Sequence, residues 1–489
     1  MKEVIVIGSG FSGLAAACCL ASEGLQVKVL EKNSTPGGRA RKFETKGFTF
    51  DMGPSWYWMP EVFEQFFERF GKKVSDYYDL RRLDPSYRIY FGEGDIMDIP
   101  ANMEELYKLF ESIEQGSADK LKQFLAEAEY KYRVGMDEFV WKPSHSPVEF
   151  MDIRIFKSSF KLQLFSSISS QVRSLFKNPK LRELLEFPVL FLGATPQKTP
   201  ALYSLMNYAD LSLGTWYPMG GMNKIIEGMV KLAEELGVDI MCDQNVEKIE
   251  IVEGKAKEVV TTTGVFECDY VVGAADYRHI EQEILDKDYR RYSESYWEKR
   301  DMSPSSLLYY IGVSKRIEGI KHHNLFFDKD FDQHAIEIYE DAKWPSDPLF
   351  YACCPSVTDP SVAPEGMENL FLLMPLAPGL EDSEIQREKY FDVMLERLES
   401  FTGVEIRSHI IYKKSYGIDN FKQDYNAFKG NAYGLANTLM QTAFLKPKMK
   451  SKKVQNLFYT GQLTTPGPGV PPSLISGQVV ANEILNLKN

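Results

Sequence analysis

The sequence predicts an α/β protein, α+β overall, built on a discontinuous Rossmann-like dinucleotide-binding domain. Three observations predict it. A strand, a glycine-rich turn, a helix, a second strand and an acid follow one another at the start of the chain. Alternating α/β structure fades after the first lobe and returns near residue 215 and again near residue 446. Between these blocks lie long insertions of different character, mixing isolated strands with helical stretches. Such alternation broken by insertions marks a nucleotide domain assembled from separate pieces of chain.

The opening elements can be justified one by one. Val4-Ile5-Val6-Ile7 is an apolar run of strand type that ends directly in Gly8-Ser9-Gly10-Phe11-Ser12-Gly13. Leu14 to Ala21 is helix-grade, and Val27-Lys28-Val29-Leu30 is a second strand ending at Glu31. Gly8 allows the sharp turn, Gly10 the close approach of backbone to a pyrophosphate, and Gly13 the packing of helix on sheet. The helix N-terminus faces the phosphate charge. Glu31, roughly 20 residues on, is placed to accept ribose hydroxyls. Gly37-Gly38-Arg39 follows, a second glycine pair that a plain NAD unit does not require and that suits FAD phosphates. Phe50-Asp51-Met52-Gly53-Pro54-Ser55 is a turn-rich segment expected to run under a flavin.

Helices are expected over about 61–70 and 103–140, with Tyr87–Phe91 alternating like a strand. Farther on, Pro218-Met219-Gly220-Gly221-Met222 leads into a helix from Ile225 to Leu236, then strands at 238–241, 246–251, 257–262 and 269–275. A second insertion, roughly 281–445, carries strands such as Ser306 to Val313 and Leu370 to Leu376 and a helix around Asp382–Phe401. The tail closes with a strand ending at Gly461, the segment Gly467-Pro468-Gly469-Val470-Pro471-Pro472 and a helix Ser473–Leu487. Prolines are tolerated at a helix start because those N–H groups have no intrahelical acceptor.

Composition narrows the partners. The 489 residues carry a net charge of −12 and a pI near 5.3, which argues against nucleic acid. The 13% aromatic content suits a large core and also a large apolar ligand site. The six cysteines form no CxxC pair, so buried thiols are expected rather than disulfides or a metal site. His322-His323 is the one histidine cluster, and adjacent residues are expected to point apart, so no metal is assigned. No signal peptide is expected before the first strand, and no run of about 18 apolar residues would span a bilayer. Residues 153–182, however, hold seven Lys or Arg and no Asp or Glu, with Phe156, Phe160, Leu164, Ile168, Val172 and Phe176 recurring every fourth residue. A basic amphipathic helix of this kind can lie on an anionic membrane, or it can pack its apolar face on the core. The chain is expected to be cytoplasmic, associated peripherally with the inner membrane surface.

Five segments occur in order: GSGFSGLAAACCLASEGLQVKVLEKNSTPGGRA, FTFDMGPSWYWMP, GTWYPMGGMNKIIEGMVKLAEELGV, CPSVTDPSVAPEG and LFYTGQLTTPGPGVPPSLISGQVVA. Together they resemble the FAD-dependent bacterial-type phytoene desaturases, the CrtI-like carotenoid desaturases, from near residue 3 to near 485. The resemblance implies an FAD-binding domain from 1–75, 215–280 and 446–489. It implies a mixed-sheet substrate-binding domain from 76–105 and 281–445, and a helical, membrane-facing cap from 106–214. It also implies non-covalent FAD, a C40 polyene hydrocarbon substrate, docking on a membrane surface and quinone or oxygen as electron acceptor. Carried over by motif, Gly8, Gly10, Ser12 and Gly13 would hold the pyrophosphate and Glu31 the ribose, with Lys32 beside it. Gly38 and Arg39 would flank the phosphates, Gly53 and Pro54 would lie near the flavin, and Gly461, Gly469 and Val470 would complete the site. Thr465 stands where related branches often carry histidine, and Gln462 where small or acidic residues are common, so a histidine base at that position is excluded.

The resemblance implies hydride transfer from an allylic C–H to FAD and loss of a neighbouring proton, with phytoene oxidised stepwise toward neurosporene or lycopene. No proton acceptor is readable. Asp152, Arg154 and Asp359 are the candidates, each with a structural ion pair or turn cap as its plainer role. Rival readings are a 1-hydroxycarotenoid 3,4-desaturase, a carotenoid cis-trans isomerase, an amine oxidase, and a pigment carrier with vestigial FAD.

Overall fold

The computed structural model describes residues 1–146, 149, 163 and 166–487. Its first sheet has five parallel strands in the order Leu457–Tyr459, Tyr270–Gly273, Glu3–Ile7, Gln26–Leu30, Asp239–Met241. The centre of this sheet is apolar on both faces, with Val4, Ile5 and Val6 fully buried, as a parallel sheet covered by helices requires. The helix Phe11–Ser22 is buried from Phe11 to Leu20 between this sheet and the last helix, Val470–Asn486. Small residues permit the approach. A Cβ on Gly477 would come within 2.2 Å of the Ser12 carbonyl oxygen.

A second sheet has seven strands in the order Ile410–Tyr416, Ser305–Val313, Glu368–Leu376, Phe350–Cys353, His323–Phe326, Tyr87–Gly92, Asp95–Ile99. It is antiparallel except where His323–Phe326 runs parallel to Tyr87–Gly92. Period-two alternation gives it two different faces. Leu307, Tyr309 and Ile311 pack with Phe391, Met394 and Leu398 of the helix Glu384–Thr402. Leu308, Tyr310, Tyr351, Cys353, Phe371 and Leu373 face the larger core shared with the nucleotide-binding part. A small antiparallel sheet, Val246–Val252, Lys255–Thr261 and Val265–Glu267, and two two-stranded sheets, Lys42–Thr45 with Phe48–Asp51 and Leu80–Arg82 with Trp216–Pro218, lie beside them.

The helix expected over 103–140 is two helices, Met103–Ile113 and Ser117–Val134. Gly116, at φ +78°, supplies the left-handed turn between them. In the basic stretch the described helices are Ile168–Leu175 and the start of Pro179–Glu186. Ile168, Val172 and Phe176 are fully buried, so this half of the apolar face is core and not a free surface. Arg173 pairs with Glu186 and Asp332. Phe156, Phe160, Leu164, Asp152 and Arg154 lie outside the described residues. No helix among the described residues is long and apolar enough to cross a membrane.

Candidate functional site: a glycine-lined nucleotide cradle and an apolar chamber

The first strand ends in Gly8 at φ +102°, whose amide donates to the Leu30 carbonyl at 2.8 Å. The helix that follows begins after Gly10 with no side-chain cap. Its first-turn amides therefore lack intrahelical acceptors, the arrangement that receives a phosphate. A Cβ on Gly10 would meet nothing within 4 Å, whereas one on Gly13 would lie 2.0 Å from the Gly8 carbonyl oxygen. The space in front of the helix is open, and the space behind it is filled by the turn itself. Gly38 (φ +54°) brings its backbone to the Gly10 Cα, where a Cβ would stand 3.3 Å away. Gly461 at φ +102° lies against Ser12, joining the two ends of the chain at the cradle.

Glu31 is 4% exposed and fully occupied. One carboxylate oxygen accepts from the Ser9 amide (3.0 Å) and hydroxyl (2.5 Å), the other from the Asn33 amide (2.9 Å) and side chain (2.7 Å). Four donors match the roughly four acceptor sites of a carboxylate. A ribose hydroxyl would have to replace one of them. Lys32 instead reaches to the Gln423 carbonyl at 2.7 Å and toward Asn426.

Arg39 is the strongest sign of an anionic ligand. Its Nη2 donates to the Asn431 carbonyl at 3.3 Å, and the Gln462 amide, with its oxygen turned toward the guanidinium, would accept from Nη1 and Nη2 at 3.2 and 3.0 Å. The Nε is buried without a partner, and among the described residues no carboxylate forms an ion pair with the guanidinium. Burial lowers its pKa, countered by Asp276 and Tyr425 nearby. A half-buried cation with no carboxylate paired to it among the described residues fits a phosphate ligand. Gly53 is tied to the same arginine, since a Cβ there would stand 2.5 Å from the Arg39 carbonyl oxygen. The cradle thus fits FAD: Gly8, Gly10, Gly13, Gly38 and Arg39 would hold its phosphates, and the bound flavin would supply the electron sink. Gly469 at φ +111° and Val470 open the last helix.

Two groups absent from the sequence-level set matter here. Asp51 accepts from the Met222 and Asn223 amides at 2.7 and 2.8 Å and so caps the helix Asn223–Glu235. Burial pushes its carboxyl up to about 6, with those two amides opposing. Lys446 is 2% exposed and donates to Asn437 Oδ1 at 2.7 Å. Neither has a local signal. Asp51 works through residues about 170 positions away, and Lys446 stands in a lysine-rich segment that reads as a solvated loop.

Asp359 accepts from the Ser361 amide (2.9 Å) and hydroxyl (2.6 Å) and from the Gly220 amide. It braces a turn, and these bonds hold its pKa down against the effect of burial. His322 and His323 do not point apart as expected. His322 precedes the strand His323–Phe326, so strand alternation does not apply to it. Their ring centroids are 4.5 Å apart, and with Cys353 they form a buried cluster whose ligand atoms lie within 4.8 Å of one another. The Nδ1 atoms are bonded to Thr358 (2.9 Å) and Tyr351 (2.6 Å), and burial drives the His322 pKa down to about 3. All six cysteines are free, five of them buried.

Two cavities adjoin the inner face of the seven-stranded sheet. One is lined by Asp51, Gly53, Pro54, Tyr217, His322 and Cys353. The other is almost wholly apolar, with Phe187, Leu325, Phe327, Phe331 and Ile338 in its walls. Tyr351 lines the second cavity and hydrogen-bonds His323, whose neighbours His322 and Cys353 line the first. The lining of the second suits a ligand with little to hydrogen-bond.

These features define a flavin-dependent oxidoreductase. The flavin-containing amine oxidoreductase profile matches residues 11–485, and the chain belongs to that family, within its carotenoid desaturase branch. It is 43% identical over 489 residues to the carotenoid 3,4-desaturase of Haloarcula japonica, covering 99% of this chain and 98% of that one. It is 32% identical to a zeta-carotene-forming phytoene desaturase of Myxococcus xanthus, covering 99% and 94%. A putrescine oxidase (TM-score 0.65, 13% identity, 99% of both chains) and an oxidoreductase from Methanosarcina mazei (TM-score 0.63, 16%, 98% and 100%) share the fold.

Proposed function

We propose that this protein is a carotenoid 3,4-desaturase, inserting a double bond near the end of an already assembled polyene. The observation that carries this reading is the 43% identity over the full length of the Haloarcula enzyme, against 32% for the phytoene desaturase. The reading moves the emphasis from phytoene to a later substrate. Chemically the two are alike: FAD, held non-covalently, would supply the hydride acceptor, the neighbouring substrate carbon would give up a proton, and quinone or oxygen would take the electrons onward. A hydrocarbon offers no handle for orientation, so binding rests on apolar burial at about 25 cal/mol per Å². The apolar chamber beside the sheet supports that, and docking at a membrane surface would deliver such a substrate.

The test is expression in cells accumulating phytoene, lycopene or a hydroxylated carotenoid, followed by pigment chromatography. A new double bond in the later carotenoids with phytoene untouched supports the proposal. Conversion of phytoene to neurosporene or lycopene overturns it in favour of the second reading, phytoene desaturation. Anaerobic incubation of the holoprotein with substrate adds a check: a desaturase bleaches its flavin stoichiometrically, an isomerase does not.

A further inference from the structure

Lys446 is a buried ammonium with no carboxylate paired to it among the described residues. Its one hydrogen bond goes to the neutral Asn437 Oδ1, which leaves two N–H donors unused. Burial alone pushes its pKa down to about 7. The neighbouring cation, Lys448, turns away to the carbonyls of Ser144 and Phe444. Such a group is costly unless an anion answers it.

Its position says where the anion belongs. A Cβ on Gly467 would lie 2.8 Å from Lys446 Nζ and 3.2 Å from Asn437 Oδ1, so the pair sits directly over the loop that starts the last helix. On the same loop the buried Thr465 hydroxyl has no partner among the described residues. That helix is poorly equipped to hold negative charge by itself. Its cap is Gly469, without a side-chain bond, and its first three residues are Val470, Pro471 and Pro472. Proline has no N–H, so only Val470 contributes an amide where an ordinary helix contributes three.

We propose that Lys446 is the charge-balancing residue of the flavin site: its ammonium, held by Asn437 above Gly467, supplies the positive charge that the proline-blocked helix start lacks and stabilises the electron-rich reduced flavin. This rests on FAD occupying the cradle as proposed above. Raising the affinity for reduced over oxidised FAD raises the reduction potential, which sets how readily a hydrocarbon can surrender a hydride.

Wild type, Lys446→Met and Lys446→Arg are purified as holoproteins. Affinity for oxidised FAD is measured first, then the two-electron potential against a reference dye at a pH below 7, where the ammonium is charged. Lys446→Met is expected to keep its FAD but to bind the reduced form about tenfold less tightly, read as a potential about 30 mV lower, and Lys446→Arg to restore it. Should Lys446→Met not accumulate folded, the neutral Lys446→Gln gives the same reading. A neutral variant that binds FAD at the wild-type potential overturns the proposal. Failure of the wild type itself to bind FAD overturns instead the reading of the cradle.

Discussion

Gly10 and Gly13 belong to one motif and answer different needs. A methyl group on Gly13 would overlap the Gly8 carbonyl oxygen at 2.0 Å, so the turn or the helix must move. A methyl group on Gly10 meets no protein atom within 4 Å, so it intrudes only on a bound ligand. Gly13→Ala is therefore expected to destabilise the protein by about 1–3 kcal/mol and to lose FAD, the cost of overpacking a tight contact. Gly10→Ala is expected to leave the melting temperature of the FAD-free protein unchanged while weakening FAD at least tenfold. Thermal melts with and without added FAD separate the two, and equal behaviour of the variants would refute the division of labour. The motif was readable at this scale because all its parts are local. Arg39 was readable too, but its lack of a carboxylate partner was not, since Asn431 and Gln462 reach it from the far end of the chain.

Helices and strands whose cause is local periodicity were legible, and those whose cause is a distant contact were not. The strand at Ser305–Val313 and the helix at Glu384–Thr402 come within a few residues of the sequence reading. The break at Gly116 was missed, and the burial of Ile168, Val172 and Phe176 stood open beside a membrane face, because an amphipathic pattern says that one face is covered but not by what. Asp51 shows the same limit from the side of capping. It serves a helix that starts at Asn223, so no local signature announces it. Replacing it with Asn puts an amide N–H against a helix N–H and is expected to cost about 1 kcal/mol, the usual worth of a cap. The pH dependence has a definite sign. The carboxyl ionises at about 6 in the fold against 3.8 unfolded, so the folded state holds the extra proton between those values. Ionising Asp51 is thus unfavourable to folding, and its contribution to stability falls as pH rises from about 4 to 6 and is flat above. In Asp51→Asn that part of the fall disappears. Melting temperatures of both proteins across this range test it, and parallel curves would exclude Asp51 as the titrating group.

At the scale of the whole molecule, both ends of the chain and a middle segment build one five-stranded parallel sheet, while the second sheet carries the apolar chamber. The assembly of that sheet from separate pieces was legible because α/β alternation returns twice after long gaps. The chamber's place was not, because its walls come from separate strands and helices, and an aromatic content that suits an apolar ligand site does not say which residues line it. Charge is distributed as unevenly as structure. In a protein of net charge −12, residues 153–182 contain only cations among their charged residues. The structure divides those cations. Arg173 is committed to Glu186 and Asp332, and Lys180 to Asp95. Reversing Arg173 would break an ion pair with a carboxylate only 1% exposed and confuse folding with docking. Lys157 and Lys161, outside the described residues, are therefore the better probes of an electrostatic membrane contact. Lys157→Glu with Lys161→Glu changes the segment by four charges. At about 1 kcal/mol for each cation near an anionic surface, binding to anionic liposomes is expected to fall at least tenfold. FAD content should be unchanged, and binding to the wild-type protein should weaken as salt is raised, since screening acts on exposed charges first. Cosedimentation with vesicles of anionic and of neutral lipid measures this, and equal binding of variant and wild type would show that the basic stretch does not dock the protein.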